Sequence, residues 1–169
     1  MRAHPLLIAI GGNLVPDGYE SLSHGLETAI QKIRTRHIDI LSQSFWYQTA
    51  AVPVSDQPDF LNAVMSCETM LDAHEVLITL QDIEAQFGRV RSVRNAARVL
   101  DLDIVDFDEQ QMNTDELTVP HPRLQDRAFV LYPMRDVAPH WVHPRLGIGI
   151  DAMIDALPPG QEISRFESE

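Results

Sequence analysis

The sequence predicts an α+β fold in which an antiparallel sheet carries helices on both faces. Short runs rich in β-branched and aromatic residues alternate with segments whose apolar residues recur every three or four positions. Their order along the chain is β-α-β-β-α-β, followed by further strand and helix patterns. That order is typical of a ferredoxin-like sheet with helices packed on it, a three-layer α/β/α sandwich.

Each element of the first third of the chain has a local pattern that predicts it. Residues 6–10 are apolar and end at two glycines, which is typical of a buried strand that enters a turn. Apolar residues recur at helical spacing over 22–33 and predict the first helix. Residues 38–47 alternate and are rich in β-branched and aromatic side chains, so a strand is expected. Residues 49–59 contain two prolines and no periodicity, and we expect a loop there.

The second helix has signals at both of its ends. Asp72, followed three positions later by Glu75, predicts a capping box, and Gly88 predicts the end of the helix. The apolar residues between them form a single stripe, which indicates a helix that buries one face. The other patterns predict strands over 60–70, 99–105 and 116–119, and helices over 128–137 and 148–157.

Composition places the chain among single-domain globular proteins. A chain of 169 residues is long enough to bury about 70% of its unfolded surface, so we expect residues 1–169 to form one domain. The polar, acidic segment 158–169 is expected to be a loosely held tail. The net charge of −12 argues against nucleic-acid binding, and no apolar run is long enough to span a membrane. The lone Cys67 excludes an internal disulfide and fits the cytoplasm, where we expect a monomer.

Two carboxylates lie two residues apart within the predicted strand 99–105. Because side chains alternate along a strand, Asp101 and Asp103 share one face, whereas Leu102 and Ile104 point to the other. Mg²⁺ is bound in proteins by one or two carboxylates together with waters and phosphates, so the pair indicates a magnesium site. The alternative is a solvated strand edge whose carboxylates form ion pairs with nearby arginines. The acidic residues that follow break the alternation and are expected in a solvated turn: Asp106, Asp108 and Glu109.

The positive charge of this acidic chain is concentrated just before that strand, at Arg89, Arg91, Arg94 and Arg98. Lys32 is the only lysine, and arginine binds phosphate through two parallel hydrogen bonds more readily than lysine does. Arginines beside a carboxylate pair therefore predict polyphosphate chemistry. We expect residues 88–97 to form a loop. A solvated basic loop without a ligand is the alternative.

Several blocks of the sequence together resemble one known family. The most specific are Gly88-Arg-Val-Arg91 and Arg98-Val-Leu-Asp-Leu-Asp-Ile104, and the supporting blocks are Ile8-Ala-Ile-Gly-Gly-Asn-Leu14, Gln57-Pro-Asp-Phe-Leu-Asn-Ala63, Leu117-Thr-Val-Pro-His-Pro122 and Arg127-Ala-Phe129. In this order they resemble the 6-hydroxymethyl-7,8-dihydropterin pyrophosphokinases of folate biosynthesis. The resemblance implies a ferredoxin-like α+β sandwich. It also implies transfer of the terminal two phosphates of ATP to the pterin hydroxymethyl group, leaving AMP.

The resemblance further implies a role for each matching residue. Two Mg²⁺ ions are implied, with Asp101 and Asp103 as metal ligands and ATP as co-substrate. The implied catalytic residues are Arg89, Arg91, Arg98, Asp101 and Asp103, with Arg94 as a further phosphate contact. The implied ATP-binding residues are Gln81, Glu84, Arg91, Arg98, Leu117, Thr118, His121 and Arg127. The implied pterin-binding residues are Thr49, Asn62 and Asp101, with Phe60 and Phe129 stacked on the two faces of the ring.

The residues alone leave plainer interpretations open. Phe60 and Phe129 fit ordinary core positions, and His121 fits a turn between prolines. Gln81 and Glu84 fit a solvated flank of the second helix. Two other functions would use the same features. Another Mg²⁺-dependent nucleotidyl, phosphoryl or glycosyl transferase would pair the aspartates with a different pocket, whereas a non-catalytic ferredoxin-like binding module would hold its arginines in ion pairs.

Overall fold

A computed structural model describes residues 2–50, 58–88 and 99–167 of the chain. The strands are β1 (His4–Gly12), β2 (Ile38–Gln43), β3 (Tyr47–Thr49), β4 (Phe60–Thr69), β5 (Asp101–Phe107), β6 (Met112–Asn113), β7 (Thr118–Val119) and β8 (Ile163–Arg165). The helices are α1 (Leu22–Arg34), α2 (Ala73–Gln86), α3 (Ala128–Val137) and α4 (Ile150–Asp155), with a 3-10 turn over Leu124–Asp126. Among these described helices, none is both long and apolar enough to cross a bilayer.

The main sheet is antiparallel, and β1 is its organising strand. The strand order is β5-β1-β4-β3-β8, and β2 also pairs with β4. β1 and β4 pair over nine positions, from His4 opposite Thr69 to Gly12 opposite Leu61. β6 and β7 form a separate two-stranded sheet. β5 therefore stands at one edge of the main sheet, directly beside β1.

Each face of the sheet is covered by its own apolar cluster. On β1, Leu6, Ile8 and Ile10 are buried in the cluster that includes α1 and α2. Leu7 lies between them and points the other way, where it packs with Val64 of β4 against α3 and α4. Burying each such side chain contributes about 1.5–3 kcal/mol. The predicted α+β sandwich with helices on both faces is confirmed.

The first two helices, α1 and α2, each begin at a side-chain cap. Ser21 Oγ accepts a hydrogen bond from the His24 amide at the start of α1. In α2 the capping box is complete, since Asp72 Oδ1 accepts from the Glu75 amide at 2.8 Å and Glu75 Oε1 accepts from the Asp72 amide at 3.1 Å. Gly88 follows α2 with φ +82, the left-handed conformation that glycine adopts without a steric penalty.

The strand predicted over 38–47 is two strands. The predicted strand is interrupted between β2 and β3, where Ser44 supplies part of the hydrogen bonding to β4. Its amide donates to the Val64 carbonyl, and its Oγ accepts from the Val64 amide at 2.9 Å. Because a side chain replaces one of the two backbone hydrogen bonds of this pair, the regular strand pairing ends there. An alternating sequence pattern does not reveal such a break.

The end of the chain contains a strand where a loosely held tail is expected. β8 pairs with β3 from Tyr47 opposite Arg165 to Thr49 opposite Ile163. The amide of Phe166 donates to the carbonyl of Trp46 at 2.8 Å, and the Phe166 ring packs against the α1 and α2 cluster. The expectation of a loose tail over 158–169 is therefore corrected for this part of it, because three backbone pairs and one apolar ring hold it.

Asp106 is a second correction, since it is buried in β5 and is not part of a solvated turn. Ile104 pairs with Ile8, and Asp106 pairs with Leu7, so β5 has one residue more than β1 between these two pairs. This bulge turns the Asp106 side chain inward. The side chain is 3% exposed, and burial raises the pKa of the Asp106 carboxyl to about 6.

The expected turn does form just beyond it. Asp108 and Glu109 adopt positive φ values of 50 and 54. Asp108 also forms an ion pair with Arg2 at 2.6 Å, and Asp106 Oδ2 accepts a hydrogen bond from the Glu109 amide at 3.2 Å. The turn prediction is thus right for the last two acidic residues and wrong for the first.

We predict that Asp106 titrates near pH 6 in the folded protein. Its pKa of about 6 lies above the ordinary value of 3.8, so its contribution to folding stability is fully present below pH 3.8 and is lost as pH rises through 6. Carbon-13 NMR of the side-chain carboxyl against pH measures this directly. Asp108 is the internal control, because hydrogen bonding to His4 lowers its pKa. An Asp106 midpoint at or below 3.8 would contradict burial as the cause.

Candidate active site

Residues from four separate blocks of the sequence line one cavity on the α3 side of the sheet. It lies where β1, β4 and β5 run side by side, and the first turn of α3 closes it. The predicted site residues that line it are Asn62, Asp101, Asp103, His121, Arg127 and Phe129. Residues up to 67 positions apart in sequence therefore meet at one place, as the resemblance implies.

Asp101 and Asp103 project into the cavity from β5. They pair with Gly11 and Ala9 of β1, whose small size leaves space above the sheet beside both carboxylates. Leu102 between them is 4% exposed and points into the α1 and α2 core, which confirms the predicted alternation.

This donor set fits Mg²⁺. Among the described residues, no group of three or more His, Cys, Asp or Glu side chains forms a metal cage. Mg²⁺ keeps waters and substrate phosphates in most of its coordination positions and takes one or two carboxylates from the protein. Asp101 and Asp103 together supply those two, and both line the same cavity.

Asn62 is held in the cavity wall by its neighbours on both sides. Its Nδ2 donates to Thr49 Oγ1 at 3.2 Å, and both side chains are 8% exposed. On the other side it lies against Gly11, where an added Cβ would overlap Asn62 Oδ1. Gly11 is therefore a site residue that sequence reasoning missed. Its signal was the double glycine, which we interpreted only as a turn.

The two phenylalanines predicted to stack on the pterin differ in their placement. Phe129 lies in the first turn of α3 and lines the cavity, with the Arg127 guanidinium 5.3 Å from its ring centre. Phe60 begins β4 opposite Thr49, on the same face as Asn62, and is half-buried outside the cavity lining. The structure thus brings one of the two rings to the cavity and places the other next to it.

His121 enters the cavity as a neutral imidazole. Burial, and secondly the positive charge of Arg127, lower the pKa of His121 to about 4. Its amide donates to the Val105 carbonyl at 2.9 Å, which ties the segment before α3 to β5. Its Nδ1 accepts a hydrogen bond from the Arg123 amide at 3.2 Å, so the proton of the neutral ring is on Nε2. His121 can therefore donate a hydrogen bond from Nε2 without carrying charge.

The remaining residues predicted around ATP lie on elements next to β5, outside the cavity lining. Gln81 is exposed on α2, while Leu117 and Thr118 are half-buried at β7. Glu84 is 5% exposed, and its Oε2 accepts a hydrogen bond from the Leu102 amide at 2.9 Å. The interpretation of Glu84 as a solvated helix position is therefore wrong. The four arginines of the run and the loop predicted over 88–97 lie, apart from Gly88, outside the described residues: Arg89, Arg91, Arg94 and Arg98.

Comparison with known proteins gives a consistent result. The model of the 7,8-dihydro-6-hydroxymethylpterin-pyrophosphokinase family matches residues 7–139. The chain is 35% identical over 155 residues to the 2-amino-4-hydroxy-6-hydroxymethyldihydropteridine pyrophosphokinase of Synechocystis sp., with 91% of this chain and 76% of that protein covered. It is 39% identical over 132 residues to the protein of the same name from Pseudomonas aeruginosa, covering 78% and 79%.

A solved structure supports the fold. The crystal structure of Plasmodium falciparum HPPK-DHPS wild type with pteroate superposes with a TM-score of 0.71, over 92% of this chain and 44% of that chain. The two sequences are 12% identical there, so this likeness speaks for the fold alone.

We predict that His121 stays neutral well below pH 6. Its folded pKa of about 4 lies below the ordinary 6.5, so its contribution to stability is present above pH 6.5 and is lost as pH falls towards 4. NMR titration of the His121 ring should give a midpoint near 4. Replacing His121→Gln, which cannot titrate, should flatten the fall in the free energy of unfolding between pH 6.5 and 4. A His121 midpoint close to 6.5 would show that the ring is solvated.

Proposed function

Because this chain belongs to the 7,8-dihydro-6-hydroxymethylpterin-pyrophosphokinase family, we propose that the cavity between β1, β4, β5 and α3 is its active site. The chain transfers a pyrophosphoryl group from ATP to 6-hydroxymethyl-7,8-dihydropterin in folate biosynthesis, and AMP is released. One observation carries the assignment of the site. Six side chains that the sequence predicts for the site, from distant blocks of the chain, line this single cavity.

The pterin is assigned to the part of the cavity beside β4 and α3. A flat heterocycle needs an aromatic face and a fixed polar edge, and Phe129 and Asn62 supply these. Asn62 is held by Thr49 and by the close approach of Gly11, so its amide is oriented before the substrate arrives. Phe60 begins β4 next to this edge and is proposed as the second stacking ring. Stacking turns the substrate hydroxyl towards the phosphates and so favours a near-attack geometry.

The triphosphate is assigned to the part of the cavity beside β5. We assign Asp101 and Asp103 as ligands of two Mg²⁺ ions, which neutralise phosphate charge when bound. His121 and Arg127 line the same space and are donors to phosphate oxygens. The residues proposed to neutralise the triphosphate or to contact the nucleotide from outside the lining are Arg89, Arg91, Arg94, Arg98, Gln81, Leu117 and Thr118.

The reaction needs positioning more than proton transfer. The substrate hydroxyl attacks the β-phosphorus in line and loses its proton to solvent, while the bond from that phosphorus to the α,β-bridging oxygen breaks and AMP leaves from the opposite side. Negative charge grows on the transferred group and on the leaving oxygen as this happens. A neutral Nε2–H donor from His121 and the Arg127 guanidinium stabilise that charge without moving a proton. None of the described lining residues is required to act as a general base in this scheme.

The cellular setting remains a prediction. We propose a monomer in the cytoplasm that acts on small molecules without a nucleic-acid or membrane partner. Cys67 is a free, fully buried thiol, which is compatible with a reducing compartment. The alternatives of another Mg²⁺-dependent transferase and of a non-catalytic module have no observation in their favour.

The first test of this proposal removes a proposed metal ligand. Asp103→Ala should abolish AMP release from ATP and 6-hydroxymethyl-7,8-dihydropterin, because the site loses one of its two proposed Mg²⁺ ligands. Asp103 is only half-buried, so the melting temperature should stay close to that of the parent protein. Asp39→Ala on β2, an exposed carboxylate on the same sheet, is the matched control and should keep full activity. Parental turnover by Asp103→Ala would overturn the assignment.

A second test separates pterin binding from ATP binding. Phe129→Ala should weaken pterin binding by about 1–3 kcal/mol, the value typical of stacking a heterocycle on an aromatic ring. The affinity for ATP should change little, because the phosphates bind on the β5 side. Calorimetric titration of each ligand measures both. Phe45→Ala is the control, since Phe45 is 55% exposed and its ring stacks on Arg165 away from the cavity. Equal pterin affinity in Phe129→Ala and the parent protein would exclude the stacking role.

A further inference from the structure

Glu84 is a buried carboxylate that accepts a hydrogen bond from the strand that carries the aspartate pair. It lies on the last turns of α2, is 5% exposed, and accepts the Leu102 amide on Oε2 at 2.9 Å. Acidic side chains are almost never fully buried without partners, so this position needs a reason. The reason lies in which amide it accepts.

Leu102 is the residue between the two proposed metal ligands. In an antiparallel pair, alternate residues turn their N–H groups towards the partner strand and away from it. The Leu102 amide, bonded to Glu84, is turned away from β1, and among the described strands none pairs with β5 on that side. Glu84 thus supplies the acceptor that a neighbouring strand would otherwise provide.

The hydrogen bond that holds the Leu102 amide in place also holds the stretch of β5 backbone from which both carboxylates project. The Leu102 side chain is 4% exposed in the α1 and α2 core, and its neighbours pair with Gly11 and Ala9 of β1. β5 is therefore held at this residue from the core and from both of its edges. A shift of the Leu102 peptide would displace the backbone from which Asp101 and Asp103 project.

We propose that Glu84 is a positioning residue for the Asp101–Asp103 pair, and that it acts through the Leu102 peptide. The proposal rests on the proposed function, because it takes the pair to be the Mg²⁺ ligands. It gives Glu84 a different role from the direct ATP contact that the family resemblance implies. A carboxylate acceptor suits this role because its hydrogen bonds are roughly twice as strong as those of a neutral acceptor. Outer groups that orient metal ligands typically change metal affinity by about 10–100-fold when removed.

The test compares two substitutions of nearly equal size. Glu84→Gln keeps an oxygen that accepts the Leu102 amide, whereas Glu84→Met fills similar space and offers no comparable acceptor. Two quantities are measured for each variant. The first is the hydrogen-exchange rate of the Leu102 amide in the ligand-free protein. The second is the Mg²⁺ concentration that gives half-maximal AMP release at fixed ATP and pterin.

We expect Glu84→Met to exchange the Leu102 amide faster and to raise the half-maximal Mg²⁺ concentration by about tenfold or more. The KM for the pterin should stay near that of the parent protein. Glu84→Gln should remain within a few-fold of the parent protein in both quantities. Thr79→Val is the control for a general loss of stability in α2. Thr79 is 8% exposed and its Oγ1 donates to the Glu75 carbonyl, so this change weakens the helix without touching β5.

Three outcomes would overturn the proposal. These are parental Leu102 exchange in Glu84→Met, equal Mg²⁺ shifts in Glu84→Met and Glu84→Gln, and the same shift in Thr79→Val. If Glu84→Met does not fold, the Glu84→Gln variant decides. A Leu102 exchange rate and a half-maximal Mg²⁺ concentration like those of the parent protein support the proposal. A shift in both quantities contradicts it. Failure of the proposed function looks different. In that case Asp103→Ala keeps its turnover, while Leu102 exchange still reports the Glu84 hydrogen bond.

Discussion

The site depends on the pairing of β1 with β4 on one side and β5 on the other. That pairing brings Asn62 and the aspartate pair to the same face of the sheet, across a strand whose residues there are small. Ala9 leaves the carboxylates uncovered, and Gly11 admits the Asn62 amide against the backbone. On the opposite face the same strand carries large buried residues. Small and large side chains therefore alternate along β1, so that one face forms the cavity floor and the other forms part of the core.

The parts of the site that follow local rules could be predicted from the sequence. Alternation alone placed Asp101 and Asp103 together on one face, and capping chemistry located the start of α2. The meeting of His121 and Phe129 with Asn62 could not be derived in this way. It depends on how α3 crosses the sheet, and only the resemblance to a family, which encodes that packing, anticipated it.

The expectations that the structure contradicts share one physical origin, which is contact between residues far apart in the sequence. Asp106 was expected in solvent because the alternation ends there, but a bulge against β1 turns it inward. The acidic tail was expected to be loose because its composition is polar, yet β8 finds a partner in β3. Glu84 looked like a solvated helix position because its acceptor role depends on an amide 18 residues further along. In each case the deciding contact lies in a different element from the residue itself.

The edge position of β5 explains why its supports come from outside the sheet. An edge strand leaves one side of its backbone open, with N–H and C=O groups that no neighbouring strand pairs. On that side the hydrogen bonds that the described residues make to β5 come from outside the main sheet. Glu84 of α2 meets the Leu102 amide, and the His121 amide meets the Val105 carbonyl. Both supports come from residues of the proposed nucleotide region, so the elements proposed to surround ATP also hold the strand proposed to bind Mg²⁺. Among the described residues, β5 is thus held in place by α2 and by the segment before α3, and its open edge needs no further strand.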